Sequence, residues 1–389
     1  MEMQQKEQLK SSLKNGKYMS VIVNIGVFFL NIIYFIMKLF PVKKKVTMLS
    51  RQYNSEPIDF MLLKEQIHKN HSDYEVVILS KRIDKSIFGL ISYAFYILLQ
   101  MKHMANSQIL ILDTYCIPVS ILKQRKQTKI IQIWHAAGAF KKFGYSILDK
   151  EEGSSSKIAK AMKMHHNYTY VCTSSQYCLP YFAEAFNVLY EKMVIYPLPH
   201  FDLLNDEEYK RNMIKKIFEK YPKLHSNKKI ILYAPTFRKE DVQMEKNILS
   251  LIENIDMNKY QMIIKLHPLD ESIIEDKRVI VDKQFSTTDM LFIADYVVSD
   301  YSAIIYEASF LQKPLFFYVF DFDQYYRKRN FYIDFNEDMP GFINKSPRKI
   351  AEAIENNLYD IERIRAFREK NIADSKLSYT EDLESFIFS

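Results

Sequence analysis

The chain has 389 residues and a formal net charge of +7, from 54 Lys and Arg against 47 Asp and Glu. With 48% hydrophobic and 26% charged residues the composition is globular, which excludes a disordered chain and a collagen-like fibre. The length suits two domains, and the mild basic excess suits an anionic partner without naming one. Cys116, Cys172 and Cys178 form no metal-type spacing and, being odd in number, cannot all pair, so a reducing, cytosolic setting is expected.

Residues 18–37 carry no charge. As a helix they would just cross the ~30 Å hydrocarbon layer of a bilayer. Lys17, Asn24, Asn31 and Lys38 nevertheless fall seven apart, with Ser20 and Tyr34 at helical spacing, so one narrow stripe is polar. That pattern favours a helix lying in the headgroup plane, or packing its polar edge on protein, over a spanning one. Lysines flank both ends in similar number and give no orientation. Phe40-Pro41-Val42 stands where a signal cleavage site would be needed, so no cleaved leader is expected. A second apolar stretch, 87–101, reads as either a core helix or another membrane-facing one, the core reading being favoured.

From about residue 45, short β-rich runs alternate with helical periods, the pattern of βαβ units and parallel sheets. Strands are predicted over 46–49, 74–79, 108–112, 129–133, 168–172, 229–233, 261–266, 296–299 and 314–318, with helices over 57–70, 157–165 and 206–220. The prolines of Tyr196-Pro197-Leu198-Pro199 interrupt the pattern and mark a linker. The expected organisation is a membrane-associated helical segment (1–42) and two α/β domains (43–202 and 203–389) with a cleft between them. Ligands of such sheets sit at the carboxyl ends of strands.

Four clusters fall at strand ends. Trp134-His135-Ala136-Ala137-Gly138 follows the strand 129–133, where a histidine can act as a general base, or simply be a satisfied loop residue. Thr236-Phe237-Arg238 offers a hydroxyl and a guanidinium to phosphate oxygens, and Lys265-Leu266-His267-Pro268 brings a second histidine. Ser299-Asp300-Tyr301-Ser302-Ala303 opens a helix whose amino terminus suits a pyrophosphate, with Glu307 one turn inside to accept from ribose hydroxyls; plain helix capping is the alternative. Asp321-Phe322-Asp323 imitates a metal motif and His165-His166 lacks a third ligand, so no metal site is predicted.

Taken with Lys141-Lys142 and Pro314-Leu315-Phe316-Phe317-Tyr318, these motifs resemble the CDP-glycerol glycerophosphotransferase family, the primases and polymerases of wall teichoic acid. The resemblance runs from about residue 43 to the end. It implies a GT-B-like fold of two Rossmann-like domains around a cleft, on the cytoplasmic face of the cell membrane in a peripheral or monotopic way. It implies transfer of a polyol phosphate, glycerol phosphate favoured, from CDP-glycerol or CDP-ribitol to a lipid-linked saccharide or polymer acceptor, with no required cofactor and no nucleic-acid partner. Self-association into a homo-oligomer is left open. By carry-over His135 is the base and His267 assists at the diphosphate. Thr236, Arg238, Ser299, Ser302, Ala303 and Glu307 hold the donor; Trp134, Lys141 and Lys142 lie on the acceptor side. Two departures stand out. Ala136-Ala137 replaces the Gly-Thr common after Trp-His, and His200 replaces the Arg of Pro-Arg-x-Asp, so a cationic donor contact is lost or pH-dependent. A nucleotide-sugar GT-B glycosyltransferase and a non-catalytic membrane scaffold are the competing readings.

Overall fold

The computed structural model describes residues 17–84, 86–238, 243–267, 270 and 273–389. Its strands form two six-stranded parallel sheets. The first holds β1 (Lys43–Ser50), β2 (Glu75–Ser80), β3 (Ser107–Leu112), β4 (Lys129–Gln132), β5 (Tyr170–Thr173) and β6 (Met193–Ile195) in the order β2-β1-β3-β4-β5-β6. The second holds β7 (Lys229–Ala234), β8 (Tyr260–Ile264), β9 (Val279–Val281), β10 (Tyr296–Ser299), β11 (Leu315–Tyr318) and β12 (Phe342–Asn344) in the order β12-β11-β10-β7-β8-β9, the doubly wound Rossmann order. Helices cover both faces, which is why interior strands read as unbroken apolar runs such as Ile109 to Leu112. The predicted strands all form. The three that the sequence pattern misses, β6, β9 and β12, are three-residue edge strands, too short to show a period.

Seven helices matter below: α1 (Lys17–Met37), α2 (Ile58–Asn70), α3 (Ile87–Ala105), α4 (Glu207–Lys220), α5 (Ile305–Phe310), α6 (Phe322–Arg329) and α7 (Tyr379–Phe388). Helix α2 buries Phe60, Leu63 and Ile67, the i, i+3, i+7 stripe of an amphipathic helix on a sheet. The predicted helix 157–165 stops at Ala161, because Lys163, His165 and Asn167 take positive φ to turn His165 into the core. Helix α7 returns to the first domain: Phe388 stacks on His71 at 3.7 Å and Glu384 pairs with His71 at 2.7 Å. Asp202 fixes that return by accepting from the Tyr379 and Thr380 amides, each at 2.8 Å.

Helix α1 packs its polar edge on protein. Asn31 accepts from the Lys123 amide at 2.8 Å, the Tyr34 hydroxyl donates to Gln124 at 2.8 Å, and Lys38 donates to the Lys123 carbonyl at 2.7 Å. Ile25, Phe28, Phe29, Phe35 and Ile36 are left pointing outward. Helix α3 lies beside α1, and the core reading holds for one of its faces only. Its inner face buries Tyr93, Gln100, Met101 and Met104, but Ile87, Phe88, Leu90, Ile91 and Phe95 face solvent, Phe88 at 86% exposure. The stretch is apolar on two sides because only one of them meets the sheet.

Candidate active site

Strand β4 delivers the chain to Gln132, whose side-chain oxygen accepts from the Trp134 amide at 3.0 Å. Trp134 adopts φ +62°, a left-handed conformation unusual for a large residue. The turn sends the indole into the first-domain core, stacked on Phe143 at 5.0 Å, and leaves the His135 ring at the cleft surface. The Asp113 carbonyl, at the end of β3, lies 2.8 Å from His135 Nδ1. A carbonyl only accepts, so Nδ1 carries the proton and Nε2 keeps its lone pair, to which the Gln52 amide donates at 2.9 Å. Crowding by the surrounding protein, with the charges of Lys141 and Arg329, holds His135 below its ordinary value despite the Asp113 hydrogen bond, so the exposed ring is neutral at physiological pH. The ring thus presents an unprotonated Nε2 beside Gln52.

The loop after His135 crosses to the second domain. Gly138 lies so close to Tyr306 on α5 that a Cβ would come within 2.2 Å of the ring. The Tyr306 hydroxyl accepts from the Phe140 amide at 3.1 Å, and the Phe140 carbonyl accepts from the Tyr332 amide at 2.8 Å. Lys141 follows; burial and the nearby Arg329 push its amine down to about 7. Lys142 instead sits over Tyr332 at 5.6 Å, next to the Arg329 guanidinium that donates to its carbonyl. On the opposite wall His267, just past β8, stacks on Phe237 at 5.4 Å and is held below its ordinary value by burial and by the charges of Arg82 and Lys141. The Lys141 charge thus acts on both His135 and His267.

The second-domain motifs meet, around a residue that the sequence reading passed over. Asp300 is fully buried and accepts from the Thr236 amide and hydroxyl at 2.8 and 2.7 Å. It also pairs with Arg238 at 2.7 Å. Asp321 takes the other side of that guanidinium through Nε and Nη2, at 2.6 and 2.9 Å. Thr236 and Arg238 therefore brace the carboxyl ends of β7, β10 and β11 against one another. Ser299 does likewise, donating to the Ala234 carbonyl at 2.8 Å. Ser302 and Ala303 stay half-buried at the turn that opens α5. Asp321 and Asp323 part company, one to Arg238 and the other to Lys345 at 2.5 Å. Among the described residues no group of three or more His, Cys, Asp or Glu is arranged to hold a metal ion.

Glu307 and His200 meet as well. His200 is half-buried between Asp59 of α2, at 2.9 Å from Nδ1, and Glu307 of α5, at 3.2 Å from Nε2. Burial alone would lower its pKa, but the two carboxylates outweigh it and hold the imidazolium up to about 10. The residue in place of arginine is thus still a cation, pinned between domains, and Glu307 Oε2 is left buried without a partner among the described residues.

A family model described as CDP-Glycerol:Poly(glycerophosphate) glycerophosphotransferase matches residues 32–380. The chain belongs to that family. A teichoic acid ribitol-phosphate primase of Bacillus spizizenii is 33% identical over 331 residues, covering 82% of this chain and 85% of the relative. A teichoic acid glycerol-phosphate primase of Bacillus subtilis is 28% identical, covering 95% of this chain and all of the relative. The wall teichoic acid polymerase TagF superposes with a TM-score of 0.70 over 97% of both chains at 19% identity, which establishes the GT-B-like fold of this family member.

Proposed function

We propose that this enzyme transfers glycerol or ribitol phosphate from a CDP-polyol donor to a lipid-linked or polymer acceptor in teichoic acid synthesis, with His135 as general base. The observation that carries the reading is the tautomer of His135, whose unprotonated Nε2 faces the cleft. An acceptor hydroxyl replacing the Gln52 amide would give its proton to Nε2 as the oxygen attacks the phosphorus that bears the polyol. The bond from that phosphorus to the bridging oxygen breaks and CMP leaves. Lys141 and His267, on either side of the reacting phosphate, offset the charge that develops. Glu307 accepts from the donor ribose, and Ser302 and Ala303 lie against the diphosphate at the turn into α5. Thr236, Arg238 and Ser299 act at one remove, by fixing that turn through Asp300. No resident metal enters this reading, since Asp321 and Asp323 already neutralise Arg238 and Lys345.

Membrane attachment through α1 and α3 belongs to the same reading. Helix α1 is bound to the first domain through its carboxyl half, by Asn31, Tyr34 and Lys38 with Val27 and Leu30 packed on the core, an arrangement that suits an in-plane helix. The adjoining outward faces of α1 and α3 form one apolar surface, with Lys123 and Lys126 exposed beside it, as an anionic cytoplasmic leaflet would favour. The test is CMP release by protein in detergent, comparing CDP-glycerol with CDP-ribitol, with and without a lipid-linked disaccharide acceptor. Acceptor-dependent release from one donor is expected; nucleotide release only from a nucleotide sugar would overturn the reading.

A further inference from the structure

Two cations of the first domain have no part in the transfer described above. Arg51 follows β1 and Lys81 follows β2, so both stand at the carboxyl edge of the first sheet. Among the described residues neither has a carboxylate within ion-pair distance. The Arg51 guanidinium lies 5.2 Å over the Tyr115 ring, and its Nε is buried with no hydrogen-bond partner. Lys81 lies 5.3 Å over Tyr96 and donates only to Ser92, at 2.7 Å. The hydroxyls of Tyr93 and Tyr96 on α3 are also buried without partners. The Arg51 charge acts on Tyr93, Tyr115, His165 and Tyr168, which sets them around the guanidinium. Burial raises both α3 phenols, Tyr93 up to about 12, so each remains a hydrogen-bond donor.

Arg51 is half-buried without a counter-ion, and a guanidinium with its Nε out of water and unpartnered favours an anion that completes it. The strand order β2-β1-β3-β4 sets Lys81, Arg51, Tyr115 and His135 in one row along the sheet edge. Two strand spacings separate β1 from β4, or ~10 Å. That distance leaves room for a saccharide between an anion at Arg51 and a hydroxyl at His135. Helix α3 supplies the other half of the argument: it carries Tyr93 toward Arg51 and Tyr96 toward Lys81, and Phe88, Ile91 and Phe95 on its exposed side.

We propose that Arg51, with Lys81, Tyr93 and Tyr96, is the subsite for the phosphate or diphosphate of an amphiphilic acceptor, whose apolar chain lies toward the α3 surface and whose saccharide reaches His135. The inference rests on the acceptor reading given under Proposed function. A water-soluble diphosphate or the donor's own phosphates would offer the same chemistry, and the test separates them.

Binding of a C15 isoprenyl diphosphate, inorganic diphosphate and CMP to the full chain is followed by the fluorescence of Trp134, the one tryptophan, whose ring lies 4.0 Å from His135. Arg51→Gln is expected to weaken the isoprenyl diphosphate by at least about tenfold, with partial recovery in Arg51→Lys, while CMP affinity stays within about twofold. Inorganic diphosphate should bind more weakly than the isoprenyl form. In turnover, Arg51→Gln should raise KM for a diphosphate-linked acceptor and leave KM for a neutral alkyl glycoside unchanged. A folded Arg51→Gln variant with normal isoprenyl diphosphate binding would overturn the proposal, as would an equal loss of CMP or equal affinity for inorganic diphosphate. Should that variant not fold, Tyr93→Phe and Lys81→Gln carry the same expectation and the same refutation. Arg51-dependent binding in a protein that releases CMP from no donor would sink the function reading and leave this site standing.

Discussion

Trp134 and His135 are adjacent in sequence, and one unusual φ sends them to opposite destinations: the indole to the core, the imidazole to the cleft. Because His135 is held below its ordinary value, the acid limb of kcat/KM should fall below the ordinary 6.5 of histidine. A pH-rate profile with its acid limb above 6.5 would contradict that environment. His200 behaves oppositely. Its folded value of about 10 lies above the ordinary 6.5, so the stability it adds is complete below pH 6.5 and is lost as pH rises through 10. His200→Gln should therefore cost about 3 kcal/mol at pH 6, and thermal melts of variant and wild type should converge toward pH 10. A constant difference in Tm across that range would refute the assignment. Histidines, Arg238 and Glu307 were legible in the sequence as chemistry at strand ends. Asp59, Asp113 and Asp300 were not, because their meaning lies in partners that are distant in sequence: Asp59 on His200, the Asp113 carbonyl on His135, Asp300 on Thr236 and Arg238.

Helices α1 and α3 look alike as hydropathy, and the structure separates their faces. The polar edge of α1 is satisfied by residues 121–125, which a periodicity argument identifies as an edge but cannot provide with a partner. For α3 the interior strands around it invite a core reading, and the exposure of Phe88 and Phe95 confines that reading to one face. If both helices face lipid, removing residues 1–40 should weaken flotation with anionic vesicles without abolishing it. Phe88→Ser with Phe95→Ser should remove much of the remainder, at about 1.5–3 kcal/mol per ring withdrawn from lipid. Unchanged flotation in the combined variant would exclude α3 from the surface. Strands were read well because parallel, doubly covered strands announce themselves as apolar runs; β6, β9 and β12 were missed for want of length.

At the scale of the whole molecule, the two domains share one hydrophobic core and are joined by α7 packing on α2, and three further contacts lie close to His135: Gly138 against Tyr306, Phe140 with Tyr332, and His200 between Asp59 and Glu307. Gly138→Ala would push Tyr306 aside, since the added methyl would overlap the ring. A loss of about 1–3 kcal/mol in global stability is expected, together with a raised KM for the donor; unchanged melting and kinetics would show that the interdomain contact tolerates more than this geometry allows. The account stands or falls on His135. Its most direct test is CMP release by His135→Ala beside an equilibrium measurement of CMP binding by the same protein. Release should fall by about 10²- to 10⁴-fold while CMP affinity and melting temperature stay at wild-type values; near-normal release from a folded variant would contradict the assignment of His135 as the base.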